Sequence, residues 1–212
     1  MQTHTIKYIF PFALFALLTY APELPGISQA WAYPAKTVTV GVLLIWFWDT
    51  FRVEISPCLD WLAIAAGVFV FLAWVGLEDI YPLLGSPRGG NPYAMTAGQD
   101  WVYILIFFRL LGAVLVVPVM EEIFWRSFGL RALMDNKFQN IPLGTFSWFS
   151  FIAVSVAFGL AHHRWLPGII AGLVYAALLY RSTNLFSPIL SHGVTNFMLG
   201  IYVLWTAQWS FW

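Results

Sequence analysis

Apolar stretches recur along this chain at about the length needed to cross a bilayer, and this limits it to one class of fold. A spanning helix needs about 20 mainly apolar residues, within roughly 17–25. Stretches that suit this lie near 6–20, 37–51, 59–77, 101–118, 147–163, 166–181 and 187–206. In hydrocarbon every backbone N–H and C=O has to be satisfied within the protein, so such segments fold as helices. The chain is 60% hydrophobic and 9% charged, whereas soluble domains carry roughly 25% charged residues. The expected fold is therefore all-α, a polytopic transmembrane helical bundle. It has seven or eight spans, depending on 119–134. That segment is helical in pattern but carries acids, and Pro118 separates it from the span before. Proline kinks or breaks a helix.

The whole of 1–212 reads as one integral membrane domain, with no internal repeat, low-complexity tract or second domain. The first helix is read as retained, because Thr19-Tyr20-Ala21-Pro22 makes a poor signal-peptide cleavage site. The longest polar connection, Glu78 to Asp100, is rich in Pro, Gly and Asn. It is expected outside the bilayer, over the mouth of a site. A second loop runs from Asp135 to Thr145. With the N-terminus inside and seven spans, Lys7, Arg52, Arg131, Lys137 and Arg181 face the cytoplasm. Lys36, Arg88 and Arg164 then face outward, a small margin under the positive-inside rule. Tryptophans flank the predicted spans, among them Trp31, Trp46, Trp61, Trp101, Trp148 and Trp205, as an aromatic belt requires.

The formal net charge is zero, and no basic patch marks a nucleic-acid partner. The single cysteine, Cys58, forms no internal disulfide and builds no thiolate-only metal site; it reads as a small hydrophobe.

Three polar patterns interrupt the apolar stretches of the second half. Ionisable groups at membrane depth are expensive, so they mark function by default. In Glu121-Glu122-Ile123-Phe124-Trp125-Arg126, helical spacing places Glu122 and Arg126 on one face as an ion pair. Glu121 points about 100° away and lacks that partner. A carboxylate buried without a full partner suits a general base. The same residues also suit a structural charge cluster at a helix end. Phe158 and His162 again lie four apart, so the ring packs on the imidazole and holds its rotamer. His162 is favoured over His163 because it lies deeper from the break at Pro167. His192 and Asn196 share a face and are both able to donate toward one point, as an oxyanion needs. An interhelical polar contact is the plainer use of such a pair.

Taken in order, acid-acid-x3-Arg, Phe-x3-His and His-x3-Asn resemble the CPBP family, the CAAX-type prenyl-protein endopeptidases and their bacterial relatives. The resemblance covers about 100–206, which would be the catalytic core. It implies a metal-independent intramembrane glutamate peptidase, with no cofactor and a polar cavity inside the bilayer. By analogy Glu121 activates the attacking water, His162 assists, and His192 and Asn196 stabilise the oxyanion. Glu122, Arg126 and Phe158 support them. The implied partners are the bilayer and a membrane-associated polypeptide substrate. The implied location is a bacterial cytoplasmic membrane, crossed several times.

Two other readings share these residues. In one, Glu121, Glu122, His162 and His192 hold zinc, although His-Glu-x-x-His is missing. In the other, the chain is a non-catalytic immunity or sorting-accessory protein. Two expectations concern geometry. His162 ends its span while His192 opens the span after next, so the pair can meet only near mid-depth. Arg109, in mid-span, should face the interior and pair with Asp49 or Asp60 in preference to touching substrate.

Overall fold

Why the apolar stretches become helices, and where they stop, is visible in a computed structural model that describes residues 2–20, 29–86, 89–95 and 98–212. α1 is Gln2–Tyr20, α2 Gln29–Trp46, α3 Trp48–Phe51, α4 Trp61–Gly76 and α5 Pro92–Met95. Asp60 caps α4, its carboxylate accepting from the Leu62 and Ala63 amides at 3.1 and 3.2 Å. Ser147 caps α9 (Trp148–Leu160) by accepting from Ser150 N. α10 is Trp165–Ser182 and α11 Phe186–Thr206, each ended by a residue of positive φ, Thr183 and Ala207. No strand occurs among the described residues. Pro87, Arg88, Ala21 and Pro22 lie outside them.

The segment 119–134 is a continuation of the span before it. α6 (Gln99–Leu111) passes into π-helical Gly112–Val116, then α7 (Val117–Glu122), π-helical Ile123–Gly129 and α8 (Leu130–Ala132). The helix absorbs Pro118 through the π-turn just before it. The Val117 N–H bonds to Gly112 O, five residues back, and Pro118 has no N–H to give. Among the described residues three helices are long and apolar enough to cross a membrane: Asp100–Ala132, Trp165–Ser182 and Phe186–Thr206. His4–Thr19, Trp61–Gly76 and Trp148–Leu160 are shorter apolar helices. Large hydrophobics lie exposed along the helix faces, including Val42, Phe69, Leu72, Leu115, Phe149 and Phe197. Soluble surfaces do not carry so many, whereas lipid contact favours them. Trp46, Trp61, Trp148 and Trp205 are exposed at helix ends, where an interface belt would sit.

The connections gather at two ends. At one, Lys7 reaches Thr50, Tyr8 packs between Phe51 and Phe138, and Leu185 N donates to Glu54 O. At the other, the loop after α4 meets the α9–α10 turn: Leu84 N donates to His163 O and the Trp165 indole to Pro82 O, both 2.9 Å. Arg164 bonds Glu78 of that loop and, at 2.9 Å, Ser210 O of the C-terminal segment. The loop thus lies over the turn that carries His162.

The cations do not behave as free loop charges. Arg131 is buried and bonded to Glu54 at 2.7 Å and to Ser127. Arg164 and Lys36 are buried as well. Counting them as solvent-facing charges therefore misjudges three of the residues used to orient the chain.

Between the ends, α9 packs on α10 and α11 on α4. α9 is short, about 20 Å at about 1.5 Å per residue. Gly159 and Gly168 let it approach α10: a Cβ on Gly159 would stand 2.6 Å from Ile169 N, and one on Gly168 would stand 2.9 Å from Gly159 Cα.

Candidate active site

Glu122 and Arg126 form the ion pair that their spacing predicts, with Nε 3.0 Å from Oε2 and both side chains 0% exposed. The partner that the sequence did not supply is His192, whose Nδ1 lies 2.9 Å from Glu122 Oε1. Glu122 thus holds one group through each oxygen. A carboxylate accepts only, so His192 Nδ1 carries the proton and its other ring nitrogen, Nε2, is left without a hydrogen bond among the described residues. A buried carboxylate with two such partners is well compensated. Glu121 is not. It is 8% exposed, makes no hydrogen bond or ion pair among the described residues, and its Oε2 is buried without a partner. The two neighbouring acids thus differ in their surroundings: Glu122 has two charged or ring partners and Glu121 has none among the described residues.

The Phe158 ring, 1% exposed, is the centre of the group. The Arg126 guanidinium lies 4.2 Å from its centroid, the His162 ring 4.8 Å and the His192 ring 6.1 Å. His162 Nδ1 lies 2.7 Å from Phe158 O, and Trp74 of α4 meets the ring from the other side at 5.6 Å. His162 and His192 do come together on one ring, Phe158. His162 stands just beyond the last turn of α9, low enough in the bundle to share Phe158 with His192 of α11.

Asn196 has a partner that sequence spacing does not show. The π-turn before Pro118 takes the Val117 N–H away from Ala113 O. Asn196 Nδ2 donates to that carbonyl at 2.8 Å. Its amide therefore closes a gap made by Pro118, with one N–H remaining. Tyr175 and Thr195 were missed altogether. Tyr175 stacks on His192 at 5.0 Å, and its hydroxyl meets Thr195 Oγ1 at 2.9 Å. Thr195 in turn lies 2.9 Å from Gly67 O. The available signal was a tyrosine inside an apolar span, since a buried phenol has to find a hydrogen-bond partner.

Arg109 corrects an expectation. It pairs with neither Asp49 nor Asp60, which hold Arg52 and Arg181. Its guanidinium lies over Tyr33 at 4.3 Å and near Trp212 at 5.6 Å. Among the described residues no group of three or more His, Cys, Asp or Glu is placed to hold a metal ion.

Residues 101–198 match the Rce1-like family, described as type II CAAX prenyl endopeptidase Rce1-like. No curated protein and no solved structure matches this chain. The family match spans all three polar patterns.

Proposed function

We propose, from the premise that residues 101–198 support assignment to the CAAX-protease family, that this chain cleaves a peptide bond of a membrane-associated polypeptide. The family points to a CAAX-type intramembrane protease, and the apolar helices to an integral membrane protein. The finer reading is ours: a seven-span peptidase of a bacterial cytoplasmic membrane that uses a carboxylate-activated water. It rests above all on the contrast between two adjacent buried acids: Glu122 is ion-paired with Arg126 and bonded to His192, while Glu121 has no ion pair or hydrogen bond among the described residues.

In this reading Glu121 takes a proton from water, whose oxygen attacks the carbonyl carbon, with His162 assisting. The carbonyl electrons move onto oxygen. His192 Nε2 and the remaining Asn196 N–H stabilise that oxyanion, and the proton then passes to the leaving amine as the C–N bond breaks. With Nδ1 committed to Glu122, Nε2 donates only when the ring carries both protons. The charges then balance, since Glu121 and Glu122 offset Arg126 and the imidazolium in a low-dielectric site.

The test compares protein termini in membranes carrying the native chain or Glu121→Gln. New termini seen only with the native chain support the reading and name the substrate. Identical termini, with both chains well expressed, turn it to the non-catalytic one. Cleavage is expected to survive a chelator, and activity lost to the chelator and restored by zinc would replace this mechanism with a metallopeptidase.

A further inference from the structure

Arg109 sits about 15 Å along the helix from its start at Gln99, at about 1.5 Å per residue, well inside the apolar stretch. A guanidinium has five donors and keeps its charge at any working pH. Here it makes no hydrogen bond or ion pair among the described residues. It has only aromatic faces, Tyr33 at 4.3 Å and Trp212 at 5.6 Å. A second cation stands on the same ring, with Lys36 Nζ 4.6 Å from the Tyr33 centroid. Lys36 bonds the Thr19 hydroxyl at 3.1 Å and meets Phe15 at 4.4 Å, again without an acid. A guanidinium at membrane depth, with a lysine on the same ring and no acid beside either among the described residues, is costly unless an anion joins it. The molecule leaves room for one. A cavity of about 50 Å³ opens beside Arg109, walled by Tyr33, Pro34, Pro92, Met95 and Trp212.

We propose that Arg109, backed by Lys36 and Tyr33, binds an anionic group, a carboxylate or a phosphate, in this cavity between α2, α6 and the α5 loop. The guanidinium supplies a planar pair of donors that suits either group. The aromatic walls exclude water, and Lys36 adds field from behind the ring. The site lies about 18 Å along the helix from Glu121, so it holds a group several residues from a bond cleaved by water activated at Glu121. An anion there would fix the register of a peptide or seat a lipid at the entrance. The binding site stands on its own geometry, and only its part in cleavage rests on the reading above.

The test uses the full chain in phosphatidylcholine nanodiscs, where thermal unfolding is followed with dodecyl phosphate, dodecanoate or dodecanol added. Wild type should bind one or both anions about tenfold or more tightly than the alcohol, as charge-assisted hydrogen bonds imply. Arg109→Gln should remove that preference and Arg109→Lys should keep part of it. Two further comparisons identify the source: phosphatidylglycerol retained in native mass spectra, and a short hydrophobic peptide with a free C-terminus against its amide. Selective retention of the lipid marks a headgroup, and preference for the free acid marks a peptide terminus. Equal binding of anions and alcohol by wild type overturns the proposal without any variant, so a misfolded Arg109→Gln does not obscure the result. A preference left intact in Arg109→Gln overturns it too. Anion binding without proteolysis would refute the peptidase reading alone.

Discussion

Replacing Glu122 by Gln tests whether the buried charge cluster is built as described. The change keeps the size of the side chain and an oxygen able to accept from His192 Nδ1, but removes the charge. Arg126 is then left 0% exposed with no ion partner among the described residues, where its one hydrogen bond is long, 3.4 Å to Gly172 O. At the 3.0 Å separation of Glu122 and Arg126 the direct attraction is about 5 kcal/mol at an effective dielectric of about 20. Loss of one partner of a buried pair costs about 3–5 kcal/mol. The weaker, neutral bond to His192 adds about 1 kcal/mol. Unfolding in detergent followed by circular dichroism should therefore show a loss of about 4–6 kcal/mol. Glu122→Gln combined with Arg126→Met should recover most of it, because no unpaired charge remains. A single variant within about 0.5 kcal/mol of wild type, the usual scale of a surface substitution, would refute the argument. So would a double variant no more stable than the single.

Three further outcomes are expected. Asn196→Ala should lower the cleavage rate by about 10²–10³, the usual loss of one oxyanion donor. It should also cost about 1 kcal/mol by leaving Ala113 O unpaired, so unchanged stability would place that carbonyl in another partner's hands. Gly159→Ala should destabilise by about 1–3 kcal/mol, since its Cβ would stand 2.6 Å from Ile169 N and 2.7 Å from Trp165 O, backbone atoms of α10, besides meeting the Ile169 side chain; normal thermal stability would count against the close α9–α10 approach. Asp60 should give an acid-sensitive contribution to stability. Burial alone raises its carboxyl, but the Ser187 hydroxyl, the Ala63 amide, Arg181 and the Leu62 amide outweigh this and hold it below its ordinary 3.8. Its folded value is thus the lower one, so the contribution is present above about pH 4 and lost as pH falls through the folded value. In wild type a plot of stability against pH should drop in that window, and Asp60→Asn should remove the drop.

Much of this molecule was legible in the sequence because its signals are local. Apolar runs of membrane length forced helices, and the spacing of Glu122 and Arg126, or of Phe158 and His162, fixed which side chains meet on one turn. These relations follow from 3.6 residues per turn and need no knowledge of neighbouring helices. The Pro and Gly content of 78–100 also marked a loop, though not the α9–α10 turn on which it lies. What failed was nonlocal. Pro118 left open whether the helix breaks; a π-turn carries the helix through it, and Asn196 from a different helix satisfies the carbonyl released. The cations Arg131, Arg164 and Lys36 looked like loop or flank charges but are buried against partners that only packing brings near.

The sequence by itself determined that this chain is helical and rich in long apolar stretches, and which ionisable residues interrupt them, since these follow from composition and spacing alone. Tertiary structure alone decided how those residues are shared. It gave His192 to Glu122, left Glu121 without a partner, and set Arg109 beside Tyr33 and a cavity in place of an acid. The reason is physical: periodicity states which face a side chain occupies, while the group on the opposing face is chosen by how helices of unequal length, brought together at glycines, pack against one another.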